Sequence, residues 1–391
     1  MSSNPENVLV FYSDVCQPIK VLELGHFAGW GGRVNYRVTT EEGGVFCLRR
    51  WPKGSNATCN AGQPSRQHLE FMQAVLWASG MGAMHPATCE GACWLPLPFE
   101  TNEGKGYVEL DGFIWELLPW FAGYKIPFDE PILPGQLFSL VELLAEFHRA
   151  VENFPLPAPA KGVSPRAMER NRQWQQWVRE KFARLDTALS SPIPLHVESL
   201  PTHSGFRTTE VEAVRDEMVE LAKLFLRSAI DRAGRLVSVL ARASRIAVSF
   251  TPVLQSLYRR HLIFSDTLHH LIGLVDCSDM GVDTPAVDMA MILTHLAPWE
   301  SAESIQALAR YRKIRDIPDN EYYLMIALYH AETVLYPLDK LARLFLPNEP
   351  GYLLHCAGGT AAPNVAQIAA VRDELRWALG QIANFQKDEK G

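Results

Sequence analysis

Residues 251–290 contain the side chains with the clearest chemical potential. Two apolar runs, one that closes at Phe264 and one from Leu271 to Val275, flank a polar turn, and this pattern predicts a β-hairpin. The second run ends at Asp276, so the hairpin would present a carboxylate at its exit. Carboxylate oxygen is the donor that hard divalent cations prefer, although an aspartate here could also simply cap the strand.

A helix is predicted to follow this hairpin after a short loop. Thr284 is its candidate N-cap, and Pro285 stands at its first position. Asp288 then falls in the first turn. The segment as a whole therefore predicts a strand, an acidic loop and a helix in that order.

The order of residues in this loop and helix is specific. It reads Val275-Asp276-Cys277-Ser278-Asp279-Met280-Gly281 and continues as Pro285-Ala286-Val287-Asp288-Met289-Ala290. This order resembles the metal loop of the aminoglycoside phosphotransferase and choline kinase-like family, a branch of the protein-kinase-like fold. The resemblance implies that Asp276 holds Mg²⁺ on the phosphates of ATP or GTP.

The loop before the hairpin departs from this family. Family members carry His-Gly-Asp and then an Asn before the strand; the Asp orients the acceptor hydroxyl and the Asn binds a second metal ion. Aligned on Leu262-Ile263-Phe264, the first three positions read Leu254-Gln255-Ser256, and the Asn position is His261. Ser256 at the catalytic position cannot take a proton as an aspartate does, and His261 at the metal position suits Mg²⁺ poorly.

The first 50 residues alternate as antiparallel strands around a glycine-rich turn. The family resemblance implies that this turn, with Gly29, Gly31 and Gly32, covers the nucleotide phosphates, because glycine allows close approach of the backbone. A glycine-rich hairpin turn is often only a turn, and this alternative stays open.

Two charged residues follow that turn. Arg49 lies on the third predicted strand, where protein kinases carry the lysine that pairs with phosphate. Glu70 lies on a predicted helix over residues 67–78, and it is the expected ion-pair partner of Arg49. The alternative for Glu70 is a solvated glutamate on the helix surface.

The segment from Phe113 to Gly123 resembles the family's hinge, a strand that runs into a Pro/Gly break. The resemblance implies that backbone groups at Glu116 and Leu118 meet the adenine edge, and it sets the first domain boundary near Pro119. A predicted amphipathic helix over residues 136–151 resembles the first helix of the large lobe.

A helical insert over residues 155–246 would form the wall of the acceptor pocket in this family. Trp174 and Trp177 share one helix face there. They could stack on a ring-shaped substrate, or they could belong to the core.

Composition narrows the class of protein. The net charge of −7 and a pI near 6.0, with basic residues dispersed, argue against nucleic acid as a partner. No apolar run is long enough to predict a membrane span. Seven irregularly spaced cysteines and an N-terminus without a basic-then-apolar pattern favour a cytoplasmic location.

We therefore expect an α+β, protein-kinase-like fold. Residues 1–118 would form a nucleotide-binding lobe of antiparallel sheet plus one helix, and residues 119–391 a mostly helical lobe. The expected activity is ATP- or GTP-dependent phosphoryl transfer to an unknown small-molecule hydroxyl, weakened by the loss of the catalytic Asp. The alternatives are a catalytically inactive, pseudokinase-type regulatory protein, and a different centre built from His261, His269, His270 and Asp266.

Overall fold

The computed structural model describes ten stretches of the chain, and it divides the molecule into two compact units. The described residues are 4–12, 18–24, 34–52, 66–81, 94–127, 130–156, 159–191, 208–267, 270–346 and 365–388. The first unit comprises Met1–Ile126, Glu142–Pro155 and Leu254–Gly281, and the second comprises Pro127–Val141, Leu156–Val253 and Val282–Gly391. The loops before and after the predicted hairpin thus belong to the same unit as the N-terminal sheet.

An antiparallel five-stranded sheet forms the centre of the first unit. Its strands are β1 (Pro18–Glu23), β2 (Val34–Thr40), β3 (Val45–Pro52), β4 (Val108–Leu110) and β5 (Phe113–Pro119), in the spatial order β1-β2-β3-β5-β4. Strand β3 pairs with β5 along its whole length, from Phe46 opposite Pro119 to Pro52 opposite Phe113. Two helices accompany the sheet, α1 (Glu6–Leu9) and α2 (Arg66–Ser79).

The two faces of this sheet carry different kinds of side chain, because successive residues of a strand point to opposite sides. On one face a buried apolar cluster joins the sheet to α1; it includes Tyr36, Leu48 and Trp115. Arg49 and Glu116 are the next residues along their strands, they stand opposite each other in the register, and they point to the other face. Both are buried. The second face of the sheet therefore places charge in a protected environment.

The predicted hairpin is confirmed. Strands β9 (Leu262–Phe264) and β10 (Leu271–Leu274) pair antiparallel, and a 3₁₀ turn at Arg259–His261 leads into β9. Of the helix prediction that follows, the position of Asp288 in the first turn is confirmed, since α8 runs from Ala286 to Leu296. The predicted N-cap is wrong: Pro285 is the N-cap, and the hydroxyl of Thr284 has no hydrogen-bond partner among the described residues.

Helices make up most of the second unit. Helix α3 (Pro134–Ala150) is divided between the units, since its residues up to Val141 belong to the second and those from Glu142 to the first. The other elements of the second unit are α4 (Pro165–Gln176), a π-helical turn (Trp177–Lys181), α5 (Phe182–Ser190), α6 (Thr208–Asp231), α7 (Ala233–Ala243), α8, α9 (Ala302–Ile314), α10 (Asp319–Phe345) and α11 (Val365–Asp388), with short strands β6 (Lys161–Val163), β7 (Ala247–Ser249), β8 (Thr251–Val253) and β11 (Gly281–Asp283). Trp174 and Trp177 are fully buried in its core cluster. Their interpretation as core residues is confirmed, and substrate stacking on them is wrong.

A buried ion cluster joins α4 to α10 within the second unit. Glu332 accepts hydrogen bonds from Arg166 Nε (2.9 Å) and from Arg170 Nε (2.7 Å) and Nη2 (2.8 Å). Burial alone would raise the pKa of Glu332, but the two guanidinium groups lower it to about 2. The carboxylate is therefore charged at neutral pH, and its single negative charge is shared by the buried guanidinium of Arg170 and the partly buried one of Arg166.

The exchange Glu332→Gln should destabilise the protein by about 3–5 kcal/mol, because the buried guanidinium of Arg170 and the partly buried one of Arg166 lose the carboxylate that they share, and only Asp339, 3.9 Å from Arg170 Nη1, remains close to Arg170. Urea denaturation of the full chain at pH 7 measures this loss. The matched control is Glu303→Gln, at an exposed position in the first turn of α9. Equal unfolding free energies for the two variants would contradict the prediction.

The same cluster predicts how stability depends on pH. Because folding lowers the pKa of Glu332 from 4.5 to about 2, its contribution is fully present above the pKa of the unfolded state and is lost as the pH falls towards 2. We expect the difference in unfolding free energy between the natural chain and Glu332→Gln to shrink steadily between about pH 4.5 and pH 2. A difference that stays constant over this range would contradict the assignment.

Candidate active site

Arg49 is the buried cation of the site, and it reaches the end of strand β10. Its Nη2 donates to the backbone carbonyl of Val275 (2.8 Å), and its Nε donates to Asn35 Oδ1 (3.3 Å). Burial alone would lower the pKa of Arg49, but the negative charge of Asp276, with smaller contributions from Cys47 and Glu116 among others, raises it on balance. A permanent positive charge is thus fixed beside the residue that begins the metal loop.

Asp276 lies two residues beyond the end of β10 and is buried, with 5% of its surface exposed. Its Oδ1 accepts a hydrogen bond from the backbone N–H of Ser278 (3.1 Å). The backbone just before it is anchored as well, because the N–H of Val275 donates to the carbonyl of His261 (2.9 Å). The position and orientation of this carboxylate are therefore set by the backbone on both sides.

The residues near Asp276 fit a cation that is shared with a nucleotide. Mg²⁺ is usually held by one or two carboxylates together with substrate phosphates, and it keeps several waters. Within the described part of the chain, no group of three or more His, Cys, Asp or Glu side chains is placed to hold a metal ion. The buried carboxylate of Asp276 could supply one ligand to such an ion.

Ser256, at the predicted catalytic position, forms a structural hydrogen bond. Its Oγ lies 3.0 Å from the carbonyl oxygen of Asp276 and 3.3 Å from that of Leu254, and the residue is fully buried. A carbonyl oxygen only accepts, so the hydroxyl must donate its hydrogen to one of the two. Ser256 therefore links its own loop to the metal loop. Its buried hydroxyl is not placed to take a proton from an acceptor.

His261, at the predicted metal position, uses both ring nitrogens within the protein. Nδ1 lies 2.9 Å from the carbonyl oxygen of Ser256, and Nε2 accepts from Arg260 Nε (3.2 Å). Nδ1 must then carry the hydrogen, and the lone pair of Nε2 faces a cationic guanidinium. Metal binding requires a ring nitrogen with its lone pair directed at the ion. The structure therefore does not support the predicted role of His261 as a metal ligand.

Gln255, which aligns with a glycine of the family motif, has a backbone conformation that favours glycine. Its φ is +59°, in the left-handed region that glycine enters without cost and other residues rarely adopt. This conformation supports the alignment that pairs Ser256 with the family's catalytic Asp.

Glu70 is not the partner of Arg49, and the predicted ion pair is wrong. Glu70 Oε1 accepts from Arg66 Nε (3.0 Å), one helical turn away, and from the hydroxyl of Tyr107 (2.9 Å). Its side chain is half exposed, and these two hydrogen bonds, that from Tyr107 first, lower the pKa of its carboxyl group. The interpretation of Glu70 as a surface residue of α2 is confirmed.

Sequence reasoning missed His68, which is the residue of α2 that contacts the metal loop. Its Nε2 lies 2.9 Å from the carbonyl oxygen of Ser278. The signal was present in the helical spacing. At 100° per residue, His68 falls about 50° from the centre of the stripe of buried residues (Leu69, Met72, Val75 and Leu76), whereas Glu70 falls about 150° from it.

The predicted hinge residues lie on β5. Glu116 Oε2 accepts from Trp51 Nε1 (2.6 Å), and Leu118 stands opposite Cys47 in the β3–β5 register. The contact of their backbone with an adenine stays a prediction. Gly29, Gly31 and Gly32, predicted to cover the phosphates, lie outside the described residues, and so does His269 of the alternative centre.

Comparison with known proteins identifies the family. The model of the phosphotransferase enzyme family matches residues 26–322, about three quarters of the chain. No curated protein sequence matches significantly.

None of the described helices combines the length and apolar character that crossing a bilayer requires.

Solved structures share the fold at low sequence identity. An aminoglycoside phosphotransferase from Alicyclobacillus acidocaldarius is 15% identical with a TM-score of 0.53, and the match covers 99% of this chain and 97% of that chain. Amicoumacin kinase hAmiN, in complex with AMP-PNP, Ca²⁺ and Ami, is 13% identical with a TM-score of 0.51, over 94% and 90% of the two chains. AMP-bound spectinomycin phosphotransferase APH(9)-Ia is 10% identical with a TM-score of 0.51, over 92% and 95%.

These matches confirm the α+β, protein-kinase-like fold predicted from the sequence. The family match covers β2, β3, the α2 helix, the whole segment of residues 251–290 and the helices up to the start of α10. The chain belongs to the phosphotransferase enzyme family.

Proposed function

We propose that the chain binds ATP or GTP with Mg²⁺ and transfers a phosphoryl group slowly to the hydroxyl of a small molecule. The observation that carries this proposal is the contact of Arg49 Nη2 with the carbonyl of Val275, which brings a buried guanidinium next to the Asp276 carboxylate. A fixed cation and a fixed carboxylate are what a polyphosphate with its metal ion requires.

Each residue has a distinct task in this proposal. The guanidinium of Arg49 pairs with the phosphates, and Asp276 would hold Mg²⁺, which neutralises charge on the phosphate oxygens when bound. The glycine-rich segment with Gly29, Gly31 and Gly32 covers the phosphates, and the backbone at Glu116 and Leu118 receives the base. These last two assignments rest on the family resemblance.

Ser256, at the position of the family's catalytic Asp, is not placed to take the proton of the acceptor. Ser256 is buried, and its hydroxyl is engaged with backbone carbonyls. A positioned base contributes about 10²–10⁴-fold to such reactions, whereas positioning and electrostatics supply most of the remaining rate enhancement in phosphoryl transfer. We therefore infer weakened transfer together with intact nucleotide binding.

The acceptor is proposed only as a class. The similar structures are described as phosphotransferases or kinases of spectinomycin, amicoumacin and aminoglycosides, which are small molecules. A small hydroxyl-bearing molecule is thus the proposed acceptor of this chain, and the cytoplasm, where ATP and GTP are available, is the proposed location.

A second candidate function is a catalytically inert, nucleotide-binding regulatory protein. It is favoured by the closed state of the former catalytic loop, in which the Ser256 hydroxyl and both ring nitrogens of His261 are engaged within the protein. The two candidates share nucleotide binding and differ in transfer, so measuring binding and turnover separately distinguishes them.

The exchange Asp276→Ala should weaken MgATP binding by about 100-fold or more, because Arg49 would keep its charge while the oxygen ligand for the cation is lost. Isothermal titration calorimetry with MgATP and MgGTP measures this change. The exposed Asp186 on α5 supplies the matched control, Asp186→Ala. Absence of binding to the natural chain at millimolar nucleotide would overturn both candidate functions.

The exchange Ser256→Asp should raise the rate of nucleotide hydrolysis or transfer by about 10²-fold, because it restores a proton acceptor. A carboxylate against the carbonyls of Asp276 and Leu254 is also expected to lower the melting temperature, so thermal unfolding must be followed in parallel. Ser265→Asp, in the turn between β9 and β10, controls for an added charge in the same hairpin.

The double variant Ser256→Asp/His261→Asn separates the two candidates. Turnover restored by Ser256→Asp alone indicates a weakened enzyme, and turnover that requires both exchanges indicates an inert binding protein. If folded variants of both kinds bind MgATP and neither turns it over above the Ser265→Asp control, the proposed transfer activity is wrong.

A further inference from the structure

His68 connects helix α2 to Ser278 of the metal loop. The Nε2 atom of His68 lies 2.9 Å from the carbonyl oxygen of Ser278, and since a carbonyl only accepts, Nε2 must donate. The N–H of the same residue donates to Asp276 Oδ1 (3.1 Å). The two backbone groups of Ser278 thus stand between the imidazole and the predicted metal-binding carboxylate.

The helix that carries His68 is itself firmly held. Leu69, Met72, Val75 and Leu76 are buried, so the backbone of α2 is fixed by packing along its length. Glu70, the acidic residue on the same turn, lies on the exposed side and contacts Arg66 and Tyr107. The imidazole of His68 therefore donates a hydrogen bond from a well-packed helix to a loop that belongs to neither a helix nor a strand.

We propose that His68 is a positioning residue for nucleotide-bound metal. By holding the carbonyl of Ser278, it fixes the residue whose N–H, in the preceding peptide unit, orients the carboxylate of Asp276, and so sets the direction from which that carboxylate meets the cation on the phosphates. His68 itself touches neither nucleotide nor metal in this role. This inference rests on the proposed function, since it assumes that Asp276 meets a nucleotide-bound Mg²⁺.

A positioning role and a purely structural role of His68 predict different effects on nucleotide binding with and without Mg²⁺. Loss of the His68 hydrogen bond leaves Arg49 and its contacts with Asn35 and Val275 in place. Affinity for the nucleotide without metal, which depends on Arg49 and not on the orientation of Asp276, should then be unchanged. Only the additional affinity that Mg²⁺ confers should fall.

The experiment compares variants at one position of the full chain. His68→Phe keeps a ring and removes the donor, while His68→Gln retains an N–H at a similar distance from the backbone. Gln67→Ala, at an exposed site on the same helical turn, is the control. Each protein is titrated calorimetrically with ATP in excess Mg²⁺ and with ATP in EDTA, and its thermal unfolding is recorded.

Groups that orient a metal ligand typically contribute about 10–100-fold to metal affinity, so His68→Phe should weaken MgATP binding by about 10-fold and leave binding in EDTA unchanged. His68→Gln should restore most of the loss, and Gln67→Ala should behave as the natural chain. Equal MgATP affinity for His68→Phe and the natural chain would overturn the inference alone.

Two further outcomes are decisive. Equal weakening of ATP binding with and without Mg²⁺, accompanied by a lower melting temperature and no rescue by His68→Gln, would show that His68 only braces the fold, and the inference would be wrong. Failure of the natural chain to bind MgATP would instead remove the proposed function, and the inference would fall with it.

Discussion

The contact between the Arg49 guanidinium and the carbonyl of Val275 ties the sheet of the first unit to the segment that carries Asp276. It joins residues 226 positions apart in the chain, from the middle of β3 to the end of β10. A buried guanidinium without acceptors or counter-charge would cost several kcal/mol, so the fold must bring Asn35, Val275 and the charge of Asp276 to it. The compact unit that groups residues 254–281 with the sheet follows from this requirement.

The loop that aligns with the family's catalytic loop carries Ser256 and His261 in place of the family's Asp and Asn. Ser256 and His261 have not become loose surface residues; each forms hydrogen bonds to backbone carbonyls within the loop or its neighbour. Gln255 holds a left-handed conformation at some cost, which indicates that the surrounding contacts determine this turn. In this loop, the side chains of Ser256 and His261 therefore stabilise the backbone of the protein itself.

Local periodicity explains which features the sequence could predict. The hairpin of β9 and β10, the helix after it and the alternation in β2 and β3 all arise from patterns of a few residues. The predicted pairing of Arg49 with Glu70 does not form, because the helical spacing of α2 turns Glu70 away from the stripe of buried residues. The same spacing brings His68 near to that stripe.

Other features could not be predicted because they depend on contacts between distant segments. No local pattern indicates that a carbonyl at Val275 accepts from Arg49, or that Ser256 lies against the carbonyl of Asp276. Thr284 has a residue type that favours an N-cap, yet it is buried. The N-cap of α8 is Pro285, and the helix begins at Ala286. Residue type favours a cap, whereas the path of the chain decides whether one forms.

The replacements in this chain are unequal in their consequences. Arg49 and Asp276, whose tasks in the fold are electrostatic, remain charged and are fixed by backbone contacts. Ser256 and His261 stand where the family handles the acceptor proton and a second metal ion, and both are engaged inside the protein. Because charge and position dominate phosphoryl transfer, the proposed function follows from this difference: such a site would keep the charges that hold a nucleotide and would lack the base that takes the proton of the acceptor.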